Sequence, residues 1–214
     1  MKQMPVAIAR LLPLGMLLCF SLLLSCHGPE EEKKQTPAAT TATITNEYTN
    51  ESVFESALRK AQANPDNAAA LYHLADLYYR DGRYEEAQET FRKVVALDPE
   101  NGYAYMKLGT SLSQLNRPQE AIEAHLKAAE HLANPMVYNN LAIAYGKAGM
   151  LDEEIKALKD ALALRPKFAI ARFNLGICYL AKNDREAAMG QYEELKKFDI
   201  TMANNLLKRI NSQH

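Results

Sequence analysis

Residues Ala68–Asn101 read AAALYHLADLYYRDGRYEEAQETFRKVVALDPEN, and this stretch decides the fold. Leu71, Leu74 and Tyr78 follow one another at spacings of three and four, and so do Ala87, Phe91 and Val94. Such spacings put each triplet on one stripe of a helix. Gly82 lies between the stripes and Asp98-Pro99 closes the second. The stretch is therefore predicted to be a helix, a tight turn and a second helix.

The plan recurs. Leu74, Leu108, Leu141 and Leu175 are separated by 34, 33 and 34 residues. The next slot is always small (Ala75, Gly109, Ala142, Gly176), which lets two helices approach closely. Tyr78, Leu112, Tyr145 and Tyr179 follow, and Gly82, Asn116, Gly149 and Asn183 occupy the turn slot. Glycine and asparagine most readily take the left-handed conformation that ends a helix. The second helices carry Ala87, Ala121, Glu154 and Ala188, then Phe91, His125, Leu158 and Tyr192. His125 and Glu154 thus put polar groups in packing slots, and Arg172 stands where a large apolar residue is expected. The residue missing from the 33-residue interval is lost near Asn134-Pro135.

From about Ala68 to Thr201 this pattern resembles the tetratricopeptide repeat, a two-helix unit of 34 residues. The resemblance implies an all-α, right-handed superhelical solenoid with units at 68–101, 102–134, 135–168 and 169–201. A capping helix is expected at each end, because the outermost units would otherwise expose their apolar faces. Over 51–65, Val53, Phe54, Ala57, Leu58 and Ala61 form one stripe that stops at Asn64-Pro65. The residue before proline resists helical geometry. Over 202–214 and the two residues before it, Met202, Leu206, Leu207 and Ile210 make the other stripe.

Residues 1–25 read as a signal peptide. Lys2 and Arg10 precede the apolar run Leu11–Leu24, whose fourteen residues reach only about 21 Å as a helix, short of a hydrocarbon core of roughly 30 Å. The run ends in Leu23-Leu24-Ser25-Cys26, which resembles the lipobox of bacterial lipoproteins. That resemblance implies cleavage before Cys26, lipidation of Cys26, and a chain held at the bacterial cell envelope, facing the periplasm or exterior. Residues 27–50 contain six Thr, two Pro and few apolar groups, so 26–50 is expected to be a disordered tether. Of the three cysteines, Cys19 would leave with the signal and Cys26 would be lipidated. Cys178 alone remains, which allows no internal disulfide and reads as a structural thiol.

Net charge is −1; without Lys2 and Arg10 the 25 basic residues become 23, against 26 acidic. No basic stripe marks a nucleic-acid partner. His73, His125, His131 and His214 lack zinc-helix spacing, and there is no phosphate loop or nucleophile motif. The pairs Glu85-Glu86, Glu153-Glu154 and Glu193-Glu194 complement the dipoles of helix starts. The chain is thus expected to be no enzyme, with no cofactor, metal or small-molecule substrate.

In the tetratricopeptide geometry the first helix of each unit lines a concave groove. The inward slots would hold Tyr72, Asp76 and Tyr79, then Tyr103, Met106, Lys107 and Thr110. Asn139, Asn140 and Ile143 follow, then Ile170, Phe173, Asn174 and Ile177. Rings can hold side chains while amides bond a peptide backbone, so the expected partner is a protein or extended peptide. A grip on a terminal carboxylate is disfavoured, since Lys107 is the one cation among these slots. The expected role is a scaffold or adaptor; the alternative is an obligate subunit of an envelope assembly, such as a pilotin-like secretin or pilus factor.

Overall fold

Every turn between paired helices is made by a residue in the left-handed region: Gly82 (φ 77°), Asn116 (56°), Gly149 (76°) and Asn183 (60°). At each, the following N–H reaches back five residues, from Arg83 to Tyr78 O, Arg117 to Leu112 O, Met150 to Tyr145 O and Asp184 to Tyr179 O, at 2.8–3.0 Å. These bonds satisfy carbonyls that a helix end leaves unpaired and reverse the chain within three residues.

The computed structural model describes residues 53–212, which form ten helices and no strand. Helix α1 covers 53–63. Four hairpins follow: α2 (Ala68–Arg80) with α3 (Tyr84–Leu97), α4 (Gly102–Gln114) with α5 (Pro118–His131), α6 (Pro135–Lys147) with α7 (Leu151–Leu164), and α8 (Ala169–Ala181) with α9 (Arg185–Lys196). Helix α10 (Ile200–Asn211) ends the series. It begins two residues before the expected boundary at 202, because the Asp199 carboxylate accepts the Met202 N–H at 2.9 Å. Asn67, Asn101 and Asn134 cap α2, α4 and α6 in the same manner. Each helix packs chiefly on its hairpin partner and then on the next helix along the chain.

The apolar stripes face inward. Ala87, Phe91 and Val94 are fully buried, as are Ala121, Leu158 and Ala161 on later second helices. Burying a phenylalanine of this kind contributes about 1.5–3 kcal/mol. Gly109 and Gly176 mark the closest approaches. A methyl group on Gly109 would stand 2.7 Å from the His125 ring, and one on Gly176 would stand 2.6 Å from Leu206. Leu206 belongs to α10, which packs on α8 and α9 and buries Ala203, Leu206 and Ile210.

The three departures from the repeat pattern are met differently. His125 is fully buried, and neither ring nitrogen has a hydrogen-bond partner among the described residues. Burial pushes its pKa down to about 4, so the ring packs as a neutral group. Arg172 keeps Nε buried without a partner among the described residues and turns its terminal nitrogens outward, donating to Pro166 O at 2.7 Å and to Gln191 Oε1 at 3.2 Å. Glu154 stays half-buried beneath Gly146.

Candidate peptide-binding groove

Helices α2, α4, α6 and α8 lie in succession along one face, and one polar bond crosses each junction. Lys107 Nζ on α4 donates to Asp76 Oδ1 on α2 at 2.5 Å. Lys147 Nζ on α6 donates to Ser113 O on α4 at 2.5 Å. Asn174 Nδ2 on α8 donates to Asn139 Oδ1 on α6 at 3.3 Å. The bonds join residues 31 to 35 apart, close to the repeat period, so each is a contact between neighbouring units.

The first-unit residues are engaged with the protein itself. Tyr72 meets Phe91 edge-on at 5.5 Å between ring centroids, and Tyr79 meets Tyr84 likewise at 5.5 Å. Burial raises both phenol pKa values. Lys107, besides pairing with Asp76, sits 5.2 Å from the centre of the Tyr79 ring. Asp76, Tyr79 and Lys107 therefore form a clasp between two units.

Further along, the face is open and apolar. Tyr103 is 53% exposed, and Met136, Ile143 and Ile170 are also exposed. Met106 and Thr110 are half-buried, with Thr110 Oγ1 donating to Met106 O at 2.8 Å. Phe173 and Ile177 are half-buried beside the C-terminal core. Asn139 differs from its expected place. It is only 3% exposed and its oxygen accepts from Asn174, so it works as a bridge between helices and not as a groove amide. Asn140, one residue on, is half-buried and makes no side-chain hydrogen bond among the described residues. Cys26 lies outside the described residues. Cys178 is buried and free, its thiol pKa pushed up to about 12 by burial.

Sequence reasoning left three residues of this face out of the groove slots. Met136 repeats the slot of Tyr103 and Ile170 at intervals of 33 and 34, a signal that counting would have found. Gly146 and Lys147 border a cleft with Ile143, Glu154, Asn174 and Ile177. Its existence depends on a missing side chain, which no apolar pattern reports.

Stacked helical hairpins with an open row formed by their first helices define an α-solenoid of the interaction-scaffold class. Family profiles described as tetratricopeptide repeat match residues 75–136 and 139–203, and also 52–96. The chain belongs to the tetratricopeptide repeat family, a right-handed superhelical fold whose members generally serve as non-catalytic scaffolds for protein–protein interaction.

Among its relatives is human Protein O-mannosyl-transferase TMTC3, 33% identical over 120 residues, covering 55% of this chain and 13% of that protein. A TPR repeat-containing protein of Treponema pallidum is 26% identical over 145 residues, covering 67% of this chain and 18% of that one. The chain thus spans a small part of either relative's length. Among solved structures, MamA from Desulfovibrio magneticus superposes with a TM-score of 0.67 at 21% identity, covering 74% of this chain and 90% of MamA. YrrB, described as a TPR protein with an unusual peptide-binding site, gives 0.66 at 24% identity, covering 78% and 88%. These likenesses concern the fold.

Proposed function

We propose that this protein is an adaptor that holds an extended peptide segment of a partner along α4, α6 and α8, and that lipidated Cys26 tethers it to a bacterial envelope membrane. The observation that carries the groove reading is the row of exposed apolar side chains Tyr103, Met136, Ile143 and Ile170. Tyr103, Met136 and Ile170 repeat one slot of three successive units, and with Ile143 these solvent-facing apolar groups offer a strip to a partner. Asn140 lies beside the strip with a free amide, able to donate to a peptide carbonyl and accept from a peptide N–H together. The peptide-binding site named for YrrB lies on the same fold and supports the reading by analogy. The tether rests on Leu23-Leu24-Ser25-Cys26 and the tract that follows.

A random decapeptide library presented to the full chain tests the groove. Tyr103→Asp with Ile170→Asp is expected to abolish capture while leaving the circular-dichroism spectrum intact, since both residues are exposed. Asn140→Ala should weaken the captured peptides by about 1–3 kcal/mol, the penalty for leaving a buried peptide group unpaired. Undiminished capture by both variants would move the site off this face. For the anchor, Cys26→Ala should leave the precursor uncleaved and unlipidated by mass spectrometry; an unmodified Cys26 in the parent protein ends that part of the proposal.

A further inference from the structure

In three of the four units, the slot where the second helix first meets the first holds alanine: Ala87, Ala121 and Ala188, all fully buried. In the third unit it holds Glu154, a carboxylate in place of a methyl group. Room for it comes from Gly146, where a methyl group would stand 2.7 Å from Glu154 Oε2. The other units carry Tyr79, Ser113 and Leu180 at the glycine's slot, so only the third has both the acid and the opening above it. The opening leads into a cleft of about 390 Å³ walled by Ile143, Gly146, Lys147, Glu154, Asn174 and Ile177.

Glu154 takes part in no ion pair among the described residues. The one cation on the walls, Lys147, directs its ammonium to Ser113 O in the neighbouring unit. From α8 the buried Cys178 lies close to the carboxylate, and Asn174 presents its amide at the rim. Asn174 Nδ2 is engaged by Asn139, which leaves Asn174 Oδ1 as a further acceptor. Partial burial raises the Glu154 carboxyl pKa, as expected of a charge deprived of some water and offered no counter-ion.

We propose that this cleft is a subsite for a basic side chain, arginine or lysine, of the bound peptide, with Glu154 as its counter-ion and Ile143 and Ile177 flanking its methylene stem. The proposal rests on the reading of this face as a peptide groove. An arginine or lysine combines an apolar stem with a charged head, matching aliphatic walls above a carboxylate floor. A hydrated metal ion would find only one carboxylate and one amide oxygen, with the Lys147 side chain on the same wall. A guanidinium can also donate to Asn174 Oδ1 while it pairs with Glu154, which favours arginine over lysine.

The test uses the full chain in detergent micelles and decapeptides random except at one central position, fixed as arginine, lysine, norleucine or glutamate. The parent protein should retain the arginine and lysine pools about tenfold more than the norleucine pool, a ratio typical of one charge-assisted contact. Glu154→Gln should bring the basic and norleucine pools to parity and leave norleucine retention unchanged. Gly146→Ala, which keeps the carboxylate but crowds its approach, should also reduce the basic preference. Glu153→Gln, an exposed neighbour, should preserve it and so exclude a general charge effect. Peptides held without basic preference, or a preference that survives Glu154→Gln, would overturn the subsite while the groove stands. Failure to capture any peptide, or capture unaffected by Tyr103→Asp with Ile170→Asp, overturns groove and subsite together.

Discussion

Two hairpins carry the same kind of departure from the repeat and resolve it in opposite ways. In α4–α5 a glycine, Gly109, faces a polar residue, His125; in α6–α7 Gly146 faces Glu154. Each glycine makes space for a side chain larger or more polar than its slot usually takes. His125 is sealed, without exposure or hydrogen-bond partner, and stays neutral. Glu154 is half-buried and opens to the cleft. The depth of each glycine makes the difference. Gly109 lies on the buried side of its helix, one residue beyond Leu108, whereas Gly146 lies on the exposed side. A polar residue opposite a buried glycine becomes core, and one opposite an exposed glycine becomes surface chemistry.

Acid breaks this comparison most strongly. The His125 pKa drops from 6.5 to about 4 on folding, so between those values the unfolded chain binds a proton that the folded one refuses. Stability therefore falls as pH falls from about 6.5 to about 4, by up to about 3 kcal/mol, and this contribution levels off below. Glu154 has the opposite sign. Its raised pKa makes the folded state the better proton binder just above the usual glutamate range, so its contribution is lost as pH rises. Urea titrations at pH 7, 5 and 4 on the parent and His125→Leu check the point; equal acid losses in both would show that His125 is not the sealed group.

Gly109→Leu comes next. Its side chain must occupy space held by the imidazole, and the expected cost is about 1–3 kcal/mol in a thermal melt. His125→Ala in the same chain should recover part of that loss, since it removes the obstructing ring. Two additive losses would mean that the glycine and the histidine do not share one contact.

Glu154→Gln is expected to change stability least, by under about 1 kcal/mol, because groove water screens a carboxylate that is only half-buried. Its effect should appear in peptide selectivity instead. A melting temperature lowered as far as by Gly109→Leu would place Glu154 in the core and erase the contrast.

The repeat itself was plain in the sequence because it is written in local terms. Spacings of three and four named Leu74, Phe91 and Leu141 as core, and Gly82, Asn116, Gly149 and Asn183 as turns. The groove was only partly legible. Slot counting located Tyr103, Ile143 and Ile170 on the first helices, and all three are exposed there. It also assigned Asn139 to the groove, yet that amide is buried against Asn174 of the next unit. Nor did it foresee the Asp76–Lys107 clasp or the bond from Lys147 to Ser113 O.

By itself, then, the sequence determined the period, the helices, their turns and the family, because backbone hydrogen bonding and apolar periodicity act within about five residues. Tertiary structure decided which polar residues are sealed, which are paired and which are free. Those outcomes depend on the helix across the hairpin, as for Gly109 with His125 and Gly146 with Glu154, and on the next unit, some 31 to 35 residues away along the chain. Helical periodicity states which side of a helix a residue occupies; burial depends on what the partner helix of the hairpin and the neighbouring unit place against that side. Glu154 shows the consequence: a packing slot by pattern became an open carboxylate because Gly146, across the hairpin, has no side chain to cover it.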